Sequence, residues 1–522
     1  MKIFYKLLSN PIVSGIIFFV VLFVVELISI LLLNNGTFIY TLDDPYIHLA
    51  LSKNIMQGHY GINSGEYSAP SSSIIWPFLL APFSSFNFFE FVPLIINLIF
   101  ALVTIYFYHK IILLCFNIYS STDSINNRFY TFILISLILI TNLLGLVFTG
   151  MEHSLQVLFI VFILYNVIKI TLDIPINFAI LSFSIILSVL IRYENVPLSL
   201  FVLIFYLTKK KYFWAIFTLL TSVFCLMGFS LFLKSMELGY FPSSVIQKSG
   251  ASNSGLIDMI ISGLTKSYKS PIGFKMLLGV FLLIVPLFNN LTVKLRLFIF
   301  IIVTAVIGHI VAGSYNMYNR YEIYIWTALI ISLIFIYSDF ILKIYFTYKN
   351  RISVLIFLAI ILEVIIALPY FRGVITIPIA SNNIYLQQYQ MHRFVKYYYF
   401  EPIAVGDLGL TSFKTPQYKL DFVGLGSYQV IKYQILYAEN WMEKLAKKHE
   451  VKLIMIYEDY FNNIPNNWIK LGELQTSTRP INLGGTAVSF YIRDNKDLEN
   501  VLAKLKSFAS TLPKKTKFVF SN

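Results

Sequence analysis

From Ser14 to Leu33 the chain runs through an apolar stretch in which Glu26 is the only charged side chain. A run of ~18 or more such residues is long enough to cross the hydrocarbon core as a helix. In lipid a spanning segment of this kind must be helical, because no water is there to satisfy free backbone groups. Comparable runs recur as far as Leu368, and they predict about eleven spans. Their approximate limits are Ser14–Leu33, Phe91–Phe116, Phe129–Phe148, His153–Ile170, Ile176–Ile191, Val196–Leu207, Phe213–Leu233, Phe274–Phe288, Leu297–Val311, Ile323–Ile341 and Ile352–Leu368. The pair around Arg192 is short and reads either as two half-depth helices or as one broken hairpin. Composition agrees with a polytopic membrane protein: 57% of residues are hydrophobic and only 13% charged, about half the charge of soluble domains. The first run is too long for a signal-peptide core and lacks a small-residue cleavage site, so it is expected to stay as an anchor.

The formal net charge of +14 would suit nucleic acid in a soluble protein. Here it marks cytoplasmic loops and anionic lipid, and no nucleic-acid motif is present. Cys115 and Cys225 lie in apolar runs, with neither metal-ligand spacing nor a disulfide pattern. Basic residues collect in every second loop: Lys2 and Lys6, Lys110 and Arg128, Lys169, Lys209 to Lys211, Lys294 and Arg296, then Lys343, Lys349 and Arg351. The positive-inside rule makes these loops cytoplasmic. It puts the N-terminus inside and, with an odd number of spans, the C-terminal region outside. The opposite loops then hold Asp43, Asp44, Glu152, Arg192, Glu194, Lys248, Arg320 and Glu322, so the chemically suggestive residues share one face.

Beyond Leu368 the composition becomes mixed. The expected division is a membrane domain over residues 1–370, its first outer loop at 34–90, and an extracytoplasmic α/β domain over 371–522. Ile403 to Gly409 reads as a strand and turn, Trp441 to Lys448 as a helix, and Val451 to Tyr457 and Val488 to Arg493 as strands. Lys504, Lys506, Lys514, Lys515 and Lys517 form a basic tail that suits a solvated face, or contact with lipid head groups or an anionic glycan.

The reacting centre is expected at Thr41-Leu-Asp-Asp-Pro-Tyr-Ile-His48. A carboxylate at the membrane surface can take the proton of an attacking hydroxyl, and two adjacent carboxylates raise one another's affinity for protons. Asp43, Asp44 and His48 could instead hold a divalent cation, Asp44 and His48 sharing a helix face. The competing reading is that Asp43 merely caps a helix beginning near Pro45. Glu152 and His153 could position a hydroxyl or sit at a helix start. Arg192 and Glu194 flank Tyr193 and could form a simple ion pair. Lys248 and Arg320 are candidate phosphate cations. Glu26 and Glu363 lie within spans and keep a transport function open.

Taken together, the motifs resemble the GT-C class of integral-membrane glycosyltransferases. The likeness is greatest to bacterial members related to the mycobacterial arabinofuranosyltransferases and to lipopolysaccharide- and flagellar-glycan-modifying enzymes. It rests on Asp43-Asp-Pro-Tyr-Ile47, Gly61-Ile-Asn-Ser-Gly-Glu66, Gly150-Met-Glu152, Arg192 with Glu194, Pro242 with Lys248, Arg320-Tyr321, Gly406-Asp-Leu-Gly409 and Asp421 to Leu425. The family's Arg-Pro-Glu-Gly hairpin is half matched, and Ser68 to Trp76 departs from its Gly-Tyr-Thr and Pro-x-Trp pattern. The resemblance implies an inverting transferase in a bacterial cytoplasmic membrane, a polyprenyl-phosphate sugar as donor and an envelope glycan or glycoconjugate as acceptor. It implies catalytic roles for Asp43 or Asp44, and substrate contacts from Tyr46, His48, Glu152, Arg192, Glu194, Lys248, Arg320 and Tyr321. The competing reading is a transporter or lipid-linked-sugar flippase, which would show internal repeats and midplane charges.

Overall fold

The computed structural model describes residues 10–117, 125–249, 256–315, 318–348, 351–436 and 438–521; Lys2, Lys6 and Lys349 lie outside them. The expected apolar runs are all helical. Eight helices among the described residues are long and apolar enough to cross a membrane: Pro11–Leu33, Phe89–Phe116, Asn127–Thr149, His153–Thr171, Tyr212–Ser235, Pro271–Phe288, Val293–Ala312 and Ser353–Ile375. A ninth span forms if Ile323–Ile336 and Ser338–Thr347, bent by 58°, count as one. The remaining two expected spans are the short pair, Phe178–Ile191 and Tyr193–Thr208. Pro197 and the tight turn Tyr193–Asn195 open the second of these, which removes the regular amide that a longer helix would need. The chain is a multi-pass membrane protein with a small mixed α/β domain near its C-terminus.

Two compact units are present. The first comprises Met1–Glu26, Leu94–Leu226 and Asn253–Thr376. It is helical, and side chains lock its loops at particular points. Asp173 binds Lys209 Nζ and Lys294 Nζ, each at 2.5 Å, which joins loops that the charge pattern assigns to one side. Within the spans, Glu363 accepts a hydrogen bond from Ser136 Oγ at 2.8 Å.

The second comprises Leu27–Pro93, Met227–Ser252 and Ile377–Asn522. Its centre is a six-stranded sheet: β1 Ile403–Val405, β2 Lys419–Asp421, β3 Leu453–Ile456, β4 Ile469–Thr476, β5 Ala487–Ile492 and β6 Thr516–Phe520. The order is β2-β1-β3-β5-β4-β6, parallel through β2, β1 and β3 and antiparallel beyond. All four residues of β3 are buried, as expected for a strand covered on both faces. Leu445 and Ala446 of helix Trp441–Lys448 complete a core with Leu420, Phe422 and Ile454. The basic tail is ordered structure: Lys504 and Lys506 lie on helix Leu498–Ala509, and Lys517 is on β6.

The first outer loop is fastened to this domain. Asn34 Nδ2 donates to Ser381 Oγ at 2.9 Å, and Tyr418 Oη donates to Glu66 at 2.8 Å. Asn63 Nδ2 donates to Lys419 O while Asn63 Oδ1 accepts Lys419 N–H, at 2.8 and 2.9 Å. A side-chain amide thus imitates a neighbouring strand at the free edge of β2. Lys419 itself is buried, and its ammonium donates to Thr415 O.

Burial lowers the Lys419 pKa to about 7, against an ordinary ~10.4 in an unfolded chain. Between those values the unfolded chain holds more protons, so stability rises with pH across that window. Lys419→Met is expected to flatten this rise and to be at least as stable as wild type at pH 7. Thermal unfolding of both proteins from pH 7 to 10 checks this, and an equal slope in the two would refute it.

Candidate active site

The helix Asp44–Met56 begins with proline in its first turn and buries Pro45 through Ser52. Asp43 occupies the N-cap position, yet its side chain makes no capping hydrogen bond. The simple capping explanation of Asp43 therefore fails. Its carboxylate turns to the Gly406-Asp-Leu-Gly409 segment after β1, where Oδ1 accepts Leu410 N–H at 2.8 Å. Asp43 is 6% exposed. A Cβ added at Gly409 would lie 2.0 Å from Asp43 Oδ2, so the bare backbone of glycine is what lets the turn approach. Asp43 Oδ2 is buried and has no hydrogen-bond donor.

The electrostatic neighbour of Asp43 is Asp407, in the same turn. Asp407 is partly exposed and accepts Gln388 Nε2 at 2.8 Å. The same amide nitrogen reaches Tyr457 Oη at 3.0 Å, and Tyr457 Oη donates to Gln387. Burial first, then the Asp407 charge, hold Asp43 well above the usual carboxylate range, with the Leu410 N–H opposing and Asp44 adding to the rise. Asp407 is pushed up to about 6, by desolvation first, then by Asp44; hydrogen bonds from Gln388 and Asp43 oppose this. Two carboxyl groups in one desolvated site do not both ionise easily, and they titrate as a pair. Of the two, Asp43 is the less exposed and the one raised further. Asp44 is partly exposed, and its charge raises both neighbours.

The other candidates on this compact unit have distinct settings. Tyr46 is 4% exposed; its hydroxyl accepts Tyr40 N–H at 3.3 Å, and its ring packs against Tyr40 and Phe413. Its surroundings are those of a packing residue. His48 is buried one helical turn beyond Asp44. Lys248 lies in helix Ser243–Ser249, its side chain outside the described residues. Among the described residues no group of three or more His, Cys, Asp or Glu side chains is placed to hold a metal ion, so Asp43, Asp44 and His48 do not form the expected ligand set.

The first compact unit gathers a second cluster. Arg192 Nη1 meets Glu152 Oε1 at 2.7 Å, and Arg192 Nη2 meets Glu194 Oε1 at 2.6 Å. Arg192 Nε adds a bond to Glu194 Oε2 at 3.1 Å, giving a two-pronged grip on Glu194. Glu152 makes no helix-capping bond; its role is to meet Arg192. The Tyr321 ring lies 5.7 Å from the Arg192 guanidinium and 5.0 Å from that of Arg320, within cation–π range. Arg320 is 3% exposed. Five of the expected residues, drawn from three loops, are thus neighbours. Asp407 is the candidate that the residue reading did not single out; its signal was the Gly-Asp-x-Gly turn directly after a buried strand.

Comparison with known proteins locates the chain only coarsely. Residues 382–491 match a family model described as a domain of unknown function, DUF8728. No curated protein sequence matches the chain. Among solved structures it is similar to the apo oligosaccharyltransferase of Archaeoglobus fulgidus, with a TM-score of 0.46 and 11% identity over 96% of this chain and 76% of that one. The same enzyme with zinc and sulfate gives 0.45 and 11%, over 96% and 75%. The AglB form with an inhibitory peptide and dolichol-phosphate gives 0.45 and 10%, over 97% and 76%. Likeness this distant assigns no activity to the chain.

Proposed function

We propose that the protein is a membrane glycosyltransferase moving a sugar from a polyprenyl-phosphate carrier to a hydroxyl of an envelope glycan or glycoconjugate, outside the cytoplasm. The observation that carries this reading is the split environment of two adjacent carboxyls, Asp43 buried against the Gly406–Gly409 turn and Asp44 partly exposed. Neighbouring acids driven apart in this way are the usual mark of proton-transfer sites. Asp44 is the base that takes the acceptor proton as the acceptor oxygen attacks the anomeric carbon. Direct displacement of the lipid phosphate inverts that carbon. Asp43 and Asp407 form a pair of carboxyls beside Asp44 whose proton affinities are both raised. Lys248, on the same compact unit as Asp44, is the cation for the donor phosphate, in a loop that the basic-residue pattern puts on the same side as Asp44. The motif resemblance supports the same chemistry, since a sugar donor outside the cytoplasm has to be lipid-borne.

Mass spectrometry of envelope glycans in a deletion strain tests the proposal. One sugar should disappear and return with the wild-type gene. Unchanged glycans in the deletion strain would overturn it. Loss of a whole lipid-linked precursor from the outer leaflet, with no missing transfer step, would favour a flippase instead.

A further inference from the structure

A second concave site has its own lining, with Phe461 next to Gly406 of the turn that carries Asp407. It is a cavity of about 480 Å³ on the α/β domain, within the ~300–1,000 Å³ range of small-ligand sites. Its ring-bearing wall is Trp441, Tyr460 and Phe461 around Phe422, and its polar wall is made of amides, Gln247, Gln434 and the Asn462–Asn463 pair. Among the described residues no acidic, basic or histidine side chain lines it.

Both walls are held in place. Phe422 meets Trp441 edge-on at 5.5 Å and 89°, and Phe461 at 6.1 Å and 72°. Phe422 is itself stacked on Trp468. Gln247 Nε2 donates to Val423 O at 2.7 Å and to Gln434 Oε1 at 2.9 Å, and Gln434 Nε2 donates to Phe422 O at 3.2 Å. These bonds fix both amides while making no use of Gln247 Oε1. Tyr460 is 53% exposed although it lies in the aromatic wall.

We infer that this cavity binds a neutral saccharide. A sugar ring offers an apolar C–H face that lies flat on an aromatic ring and a rim of hydroxyls that amide groups can bond in either sense. A phosphorylated or carboxylated ligand would need a cation, and the described lining residues include none. A wholly apolar ligand would bury the amides without partners, which is costly. Gln247 directly precedes Lys248, and Phe461 lies against Gly406, next to Asp407, so the cavity adjoins segments of the proposed reaction site. The bound saccharide is a non-reacting part of the acceptor glycan. Its assignment to the acceptor rests on the transferase reading, but saccharide binding itself does not.

The test uses the full-length protein in detergent or nanodiscs. Saturation-transfer NMR is run with maltotriose, mannotriose and tri-N-acetylchitotriose, beside the uronic-acid-containing disaccharide of hyaluronan. At least one neutral trisaccharide should give saturation transfer, and the acidic disaccharide should give none. Trp441→Ala and Gln247→Ala should each weaken neutral binding at least tenfold at unchanged thermal stability, while Trp441→Phe retains most of it. Absence of any signal from the neutral probes, or binding that survives both alanine variants, overturns the inference. Neutral binding lost in Trp441→Ala together with unchanged glycans in the deletion strain would uphold the saccharide site and refute the transferase reading. Normal transfer by a protein that binds none of the neutral probes would do the reverse.

Discussion

Replacing Asp44 by asparagine is expected to slow transfer by about 10²–10⁴-fold, the usual worth of a positioned general base, whereas Asp43→Asn should cost far less. The two differ in what they do at neutral pH. Burial and the Asp407 charge favour the protonated form of Asp43, which donates toward Asp407 and accepts Leu410 N–H. An asparagine keeps both abilities: its carbonyl oxygen accepts the amide, and its NH₂ donates. Asp44→Asn removes the more exposed carboxylate of the adjacent pair. Rates of sugar transfer by purified variants, compared at equal amounts of folded protein, decide the matter. If Asp43→Asn is as damaging as Asp44→Asn at unchanged thermal stability, Asp43 must ionise during the reaction and the assignment of roles is reversed.

The membrane-spanning pattern was readable because apolar length alone imposes it. The same logic leaves the count open where helices are short: Phe178–Ile191 and Tyr193–Thr208 are apolar without being long enough to cross alone. Helix Trp441–Lys448 appears at its expected limits, since its amphipathic pattern and its packing against the sheet agree. Asp43 and Asp44 stood out through adjacency, but their different roles did not. That difference depends on the Gly406–Gly409 turn, more than 360 residues away in sequence, delivering Leu410 N–H and Asp407 to Asp43. Hydropathy and local spacing carry no record of such a contact. Glu152, Arg192 and Glu194 were similarly visible as charged residues near apolar helices, while the joining of Glu152 and Arg192 across 40 positions is a product of packing.

Arg192 shows how that packing decides between binding and stability. As a phosphate-binding residue it would leave its guanidinium open to a donor. Instead Nη1 is directed at Glu152, which is 0% exposed, and Nε and Nη2 at Glu194, which is 37% exposed. Removing the guanidinium in Arg192→Met takes the Arg192 ion pair from the buried Glu152 carboxylate, and breaking a buried pair from one side costs about 3–5 kcal/mol. Glu194 can turn to solvent, so Glu194→Gln should cost about 1 kcal/mol or less. Arg192→Lys should recover only part of the loss, because one ammonium cannot reproduce a fork that serves two carboxylates. The double variant Arg192→Met with Glu152→Leu removes both charges together and should recover much of the stability. Thermal unfolding of the set gives the coupling energy directly. A donor-binding role would appear differently, as a raised KM for the lipid-linked sugar in Arg192→Met with its unfolding temperature unchanged, and that result would return Arg192 to the substrate site.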